Sequence, residues 1–164
     1  MAATVQIHEI TNTDTGVDKT SDTVRFKSAD ETTVDTSNRL TIPGAGTDYS
    51  YTKQLRLYVS VAPDVDVSNA QAYSDGSNGF GTGIGVQYDT HTAFQTQTDA
   101  DISGTDLFTK TSGGAIDMDQ YNDTEGKSDT GYFGDVLRLQ MTVASTASAG
   151  SLSAETLTVS YDES

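Results

Sequence analysis

The stretch that decides the fold is Tyr51–Ala62, YTKQLRLYVSVA. From Leu55 it alternates without a break: Leu55, Leu57, Val59 and Val61 fall on one side, Arg56, Tyr58 and Ser60 on the other. Successive side chains of a strand point to opposite faces, so this reads as a half-buried β-strand with one dry and one wet face. The design returns in Leu137–Ala144, LRLQMTVA, with Leu137, Leu139, Met141 and Val143 inward and Arg138, Gln140 and Thr142 outward. A third alternation, Thr156–Tyr161, sets Leu157, Val159 and Tyr161 on one face. These three segments hold the densest apolar positions and place the centre of the core.

Working outward, Thr4–Ile10 (TVQIHEI) alternates through Val5 and Ile7 and predicts a first strand. Thr11–Ser21 is polar and turn-rich. Thr23–Lys27 and Arg39–Ile42 are short strand candidates, the second stopped by Pro43-Gly44. Val67–Tyr73 predicts another strand. Tyr73–Gly85, YSDGSNGFGTGIG, is a glycine-rich loop from which Ile84, Val86 and Tyr88 alternate into a further strand. His91–Thr98 predicts a short strand around Phe94, Leu107 and Phe108 an anchor, and Ala115–Met118 a brief strand.

No window carries helical periodicity with caps. Many short strands broken by Gly, Asp and Ser turns predict an all-β fold, an antiparallel β-sandwich of jelly-roll-like form. The expected organisation is an N-terminal strand and flexible arm over residues 1–36, then one β-sandwich domain over 37–164. LRLYVSVA and LRLQMTVA echo one another, but their flanks do not match, which favours independent strands of similar burial over a duplication.

A chain of 164 residues suffices for one domain with a core of its own. Its apolar fraction of 34% is low, and Thr, Ser, Asp and Gly make up much of the remainder, a balance suited to exposed strand faces and turns. The 24 acidic residues against 9 basic ones give a net charge of −15, which disfavours nucleic acid and anionic membrane as partners. Solubility or a saline setting accounts for such acidity. There is no cysteine, so disulfides and thiolate chemistry are excluded. The opening MAATVQIHEI has neither a basic stretch nor a long apolar run, so no secretory signal is expected, and no segment is apolar enough to span a membrane.

Signals for catalysis are sparse. His8 and His91 sit among polar residues as ordinary exposed histidines. G-x-S-x-G, H-E-x-x-H and the phosphate-loop pattern are missing, and the Gly79-x-Gly81 spacing has no helix after it to cradle a nucleotide. Carboxylates are numerous enough for a glycosidase pair, yet the chain has no Trp to build the aromatic cleft such an enzyme uses. The expectation is a protein that is not an enzyme. One loop suits a cation: Asp99, Asp101 and Ser103, followed by Gly104, have the D-x-D-x-S-G opening of a calcium loop. Lys110 stands where such a loop carries its bidentate Glu, so the expectation is at most a weak structural Ca²⁺ site. Asp117 and Asp119 repeat the alternation without the glycine.

Four segments together resemble small virion structural proteins of tailed bacterial and archaeal viruses: MAATVQIHEI, SYTKQLRLYVS, AYSDGSNGFGTGIGV and GDVLRLQMTVASTASAG…ETLTVSYDE. The resemblance implies a β-sandwich that binds the outer surface of an icosahedral shell as a decoration, or cement, protein. Its partners would be the major capsid protein and further copies of itself in a trimer, and its place the capsid exterior after synthesis in the host cytoplasm. No catalytic residues come with the resemblance. On this reading, an extended arm within residues 11–36 lies across a neighbouring subunit, and deleting residues 1–36 leaves a folded body that binds the shell weakly. Two alternatives stay open. One is a tail-tip or fibre-associated module binding receptor or glycan through 73–85 and 120–133; the other is a stand-alone carbohydrate-binding β-sandwich.

Overall fold

The computed structural model describes residues 2–12, 16–121 and 126–164. Ten strands are formed among them: β1 Thr4–Ile10, β2 Val17–Asp18, β3 Thr47–Tyr49, β4 Lys53–Val61, β5 Val67–Tyr73, β6 Ile84–His91, β7 Thr105–Asp106, β8 Ile116–Asp117, β9 Gly131–Ala144 and β10 Thr158–Glu163. The only helical pieces described are two three-residue 3-10 turns, Leu107–Thr109 and Ser112–Gly114.

All pairings are antiparallel. The larger sheet runs β2-β1-β4-β9-β6-β7, with β3 also on β9, and the smaller runs β10-β5-β8. This is the all-β sandwich that the alternating segments predict. The seven-to-three division of strands differs from the even split of an eight-stranded jelly roll.

The two strongest alternations lie side by side at the middle of the larger sheet, β4 against β9, with Leu55 opposite Leu137 and Leu57 opposite Phe133. Between these pairs β9 places Gly134, Asp135 and Val136 where β4 places Arg56 alone, a bulge of two extra residues. The core joins Leu55, Leu57 and Val59 of β4 to Leu137, Leu139 and Met141 of β9 and to Val67, Ala72 and Ile116 of the smaller sheet. Val59 and Leu137 are fully shielded from solvent. Leu107 and Phe108, expected as an anchor, are buried in the first 3-10 turn, where Asp106 Oδ1 accepts from Phe108 N at 3.0 Å.

Several expectations need correction. Thr156–Tyr161 is not central: it contributes to β10 at the edge of the smaller sheet, Leu157 and Val159 are only partly buried, and Tyr161 is exposed. Val61, assigned inward, is exposed at the end of β4. Gln140, assigned to the wet face, is fully buried because the 92–103 loop folds over that face and takes two of its four hydrogen bonds. Its Nε2 donates to Ser50 O at 2.8 Å and Ala100 O at 3.0 Å, while its Oε1 accepts from Gln87 Nε2 at 2.9 Å and Ile102 N at 3.1 Å. Thr23–Lys27, Arg39–Ile42 and residues 92–98 form no strand. The last of these satisfies its backbone on side chains instead, as where Gln54 donates to Gln95 O and accepts from Gln95 N.

Residues 16–40 do not extend away from the body. Lys19 and Lys27 are buried, Lys19 N donates to Ile7 O, and Val24, Phe26 and Leu40 pack against the core. β1 is an interior strand of the larger sheet, held by β2 on one side and β4 on the other. A chain lacking residues 1–36 loses this interior strand and Glu9, the carboxylate paired with buried Lys53.

Candidate functional site

The outer face of the larger sheet carries an aromatic platform built by strand register. His8 of β1 stands opposite Arg56 of β4, and Tyr58 of β4 opposite Tyr132 of β9. Residues opposed across antiparallel strands share a face, so these four side chains project together. The His8 and Tyr58 rings stack, with centroids 4.6 Å apart and planes inclined by 12°. Tyr132 meets both edge-on, at 5.6 Å from His8 and 5.2 Å from Tyr58. Phe94, from the loop after β6, adds a third edge-on contact with Tyr132 at 6.0 Å. The Arg56 guanidinium carbon lies 5.7 Å from the Tyr132 ring centre, within cation–π range, while Arg56 Nε donates to Gly134 O at 2.7 Å.

Burial lowers the pKa of His8, an effect that nearby Asp18 only partly offsets. The neutral ring fits the contacts of its nitrogens: Nε2 is 3.2 Å from Gln6 Oε1 and Nδ1 is 3.4 Å from the Tyr132 hydroxyl. Gly16 closes one side. Its φ is +130°, and a Cβ there would sit 2.3 Å from the Tyr132 hydroxyl oxygen, so only glycine lets the chain pass so near the rings. Further across the sheet, Arg138 grips Asp89 through both Nε and Nη2, and His91 Nε2 lies 3.2 Å from Asp89 Oδ2.

A second constellation surrounds Lys27. Its ammonium meets Glu31 Oε1 at 2.7 Å, Asp35 Oδ1 at 2.6 Å, Thr33 Oγ1 at 3.2 Å and Ser37 Oγ at 3.3 Å. Every second residue from 31 to 37 thus turns an oxygen to one cation, the alternation that suggests a calcium loop at 99–104, with a lysine as the cation. Burial works to lower the Lys27 pKa, but the hydrogen bonds to Asp35 and Glu31 outweigh it and hold the value above ordinary. The Lys27 hydrogen bond also draws Glu31 down to about 2, and Asp35 falls well below the usual carboxylate range for the same first reason. Deeper in, Lys53 Nζ lies 2.9 Å from Glu9 Oε1, Lys19 Nζ lies 3.9 Å from Glu9 Oε2, and Lys53 donates to Glu31 O.

Comparison with protein-family models, curated proteins and solved structures finds no match to this chain.

Of the residues expected to hold calcium, Asp101 is engaged within the protein. Asp101 Oδ1 accepts from Gln87 Nε2 at 2.8 Å and from Ser103 N at 2.8 Å, and its Oδ2 accepts from the Tyr49 hydroxyl at 3.0 Å. The Gln87 hydrogen bond is the main reason its pKa lies below ordinary. Asp99 is exposed, and Ser103 turns through a φ of +51°. Among the described residues no three His, Asp or Glu side chains gather as a metal group.

The alternation of β4 assigns Arg56 and Tyr58 outward, as found, but it leaves His8 a lone exposed residue and Tyr132 in a loop. Only the register assembles them. Chemically the platform offers flat aromatic area, one guanidinium and a neutral imidazole on backbone fixed by sheet hydrogen bonds. Such a surface offers flat contact area to a partner.

Proposed function

We propose that this protein is a virion structural protein that decorates the outer surface of an icosahedral shell and docks through the platform of His8, Arg56, Tyr58, Phe94 and Tyr132. The platform is the observation that carries the reading. Tyr and Arg are enriched among the residues that dominate interface energetics, Tyr because it buries large area with few rotatable bonds and Arg because its planar guanidinium stacks and donates several hydrogen bonds. Here they stand on interior strands, so little ordering cost remains on binding. The resemblance of SYTKQLRLYVS and GDVLRLQMTVAS to virion proteins supplies the partner, since the first of these segments contains both Arg56 and Tyr58. Closed assembly of three copies about a symmetry axis belongs to the same reading.

The test uses shells that lack this protein. Wild-type chain and the Tyr58→Ala/Tyr132→Ala variant are sedimented with them, and bound protein is measured against the major capsid protein. The reading predicts saturable binding by the wild type and a loss of at least tenfold in the variant. Equal binding by both overturns the platform as the docking surface.

A second reading, a tail or fibre module that binds glycan, draws on the same rings, because tyrosine faces stack on sugars. It predicts binding of the isolated protein to oligosaccharide in the absence of any shell, lost in the same variant.

A further inference from the structure

The opposite face of the larger sheet is not fully covered by the three-stranded sheet. A cleft of about 750 Å³ remains between it and the segments 19–40 and 150–157. Its floor is apolar, with Leu55, Val86, Leu139 and Met141 from three adjacent strands, and Phe26 and Leu157 among its walls. The volume lies within the range of about 300–1,000 Å³ typical of small-molecule sites.

Charge gives the cleft a direction. Four of the nine basic residues, Lys19, Arg25, Lys27 and Arg39, line it, on a chain whose net charge is −15. Lys19 and Lys27 are occupied by Asp22, Glu31 and Asp35. Arg25 and Arg39 are exposed and have no carboxylate partner among the described residues. Arg25 Nη1 donates to Asp35 O at 2.6 Å and Arg39 Nε to Thr36 O at 2.9 Å. Two guanidiniums are thus fastened by one nitrogen each to consecutive carbonyls, which leaves their other N–H groups for an acceptor outside the protein. Glu155, the remaining lining carboxylate, lies against Gly79, where a Cβ would sit 2.0 Å from its Oε1, and pairs with neither arginine.

We propose that this cleft binds a single-chain amphiphile with an anionic head, its alkyl chain laid over Leu55, Leu139 and Met141 and its head held by Arg25 and Arg39. The alkyl chain takes its own methylenes out of water against this apolar lining, and paired guanidiniums favour carboxylate or phosphate through charge-assisted hydrogen bonds. A cationic head would lose those bonds and meet like charge. The ligand enters as a free monomer rather than within a bilayer, because the floor lies beneath the two covering segments and the rest of the acidic surface repels an anionic membrane. The site is separate from the platform on the other face, so neither proposal depends on the other.

The test is titration of the full chain by calorimetry and native mass spectrometry with dodecanoate and with dodecyltrimethylammonium, each below its micelle concentration. Circular dichroism checks that the fold persists. The expected result is one equivalent of dodecanoate bound, at least tenfold tighter than the cation. Arg25→Gln/Arg39→Gln is expected to weaken dodecanoate at least tenfold while the fold is retained, since both side chains are exposed. Val24→Trp, which fills the cleft from its wall, is expected to abolish binding. No saturable binding, equal affinity for both head groups, or full binding by either folded variant overturns the proposal. Binding to vesicles containing anionic lipid but not to the monomer overturns it as well.

Discussion

Lys53 Nζ lies 2.9 Å from Glu9 Oε1, and both side chains are 1% exposed. The pair joins the first two long strands of the chain across the β1–β4 ladder. A buried ion pair adds little over an apolar pair of equal shape, yet breaking it strands a charge in the interior. Lys53→Met should therefore cost about 3–5 kcal/mol in urea unfolding, and Glu9→Leu/Lys53→Met should recover most of that loss. Lys19 keeps Asp22 as a partner in the double variant. A double variant no more stable than Lys53→Met would contradict this account.

The Lys27 cage sets a pH dependence. Glu31 has its folded pKa lowered from an ordinary 4.5 to about 2, and Asp35 is lowered as well. A depressed carboxylate contributes stability above its unfolded value and loses it as pH falls toward its folded value. Urea midpoints of the wild type should thus decline as pH drops from about 4.5 toward 2. In Lys27→Met that decline should be much shallower, from a lower starting stability at neutral pH. Parallel pH profiles would show that the lysine is not what holds these carboxylates.

Gln140 ties the 92–103 loop to the sheet with two of its four hydrogen bonds, to Ala100 O and Ile102 N. Leucine keeps much of the volume but leaves Ala100 O and Ile102 N without their partner. Gln140→Leu should destabilise by about 1–3 kcal/mol, with hydrogen exchange accelerated in the loop first. Unchanged exchange at Ile102 would contradict the assignment.

At Gly16 any side chain meets both a positive φ and the Tyr132 hydroxyl. Gly16→Ala should displace Tyr132 and disturb the His8–Tyr58 stack, seen as shifts in the aromatic NMR signals of these three residues with the core signals of Leu57 and Val59 in place. A spectrum identical to the wild type would mean that the chain passes the platform with room to spare.

How far the sequence carries can be read residue by residue. Leu55, Leu57, Val59, Leu137, Leu139 and Met141 announce their burial by alternation, and the structure buries all six. Gln140 shows why alternation is not enough: it predicts the face of a side chain, not what covers that face. The lysine cage was hidden for a different reason. Lys27 and the 31–37 oxygens lie within eleven residues of chain, but a lysine in a polar stretch gives no sign that it turns inward. The platform depends on pairing His8 with Arg56 and Tyr58 with Tyr132, 48 and 74 residues apart in sequence, which local pattern does not specify. Tyr161 misleads in the opposite sense, since an edge strand can carry the same alternation as a central one.

The role proposed for this sandwich is decoration of a viral shell. The most direct measurement is its copy number relative to the major capsid protein on virus particles purified from cultures that produce it, with antibody labelling to show where the copies lie. The account predicts even labelling of heads in a fixed ratio to the shell lattice. A few copies confined to the tail, or none on the particle, would contradict it.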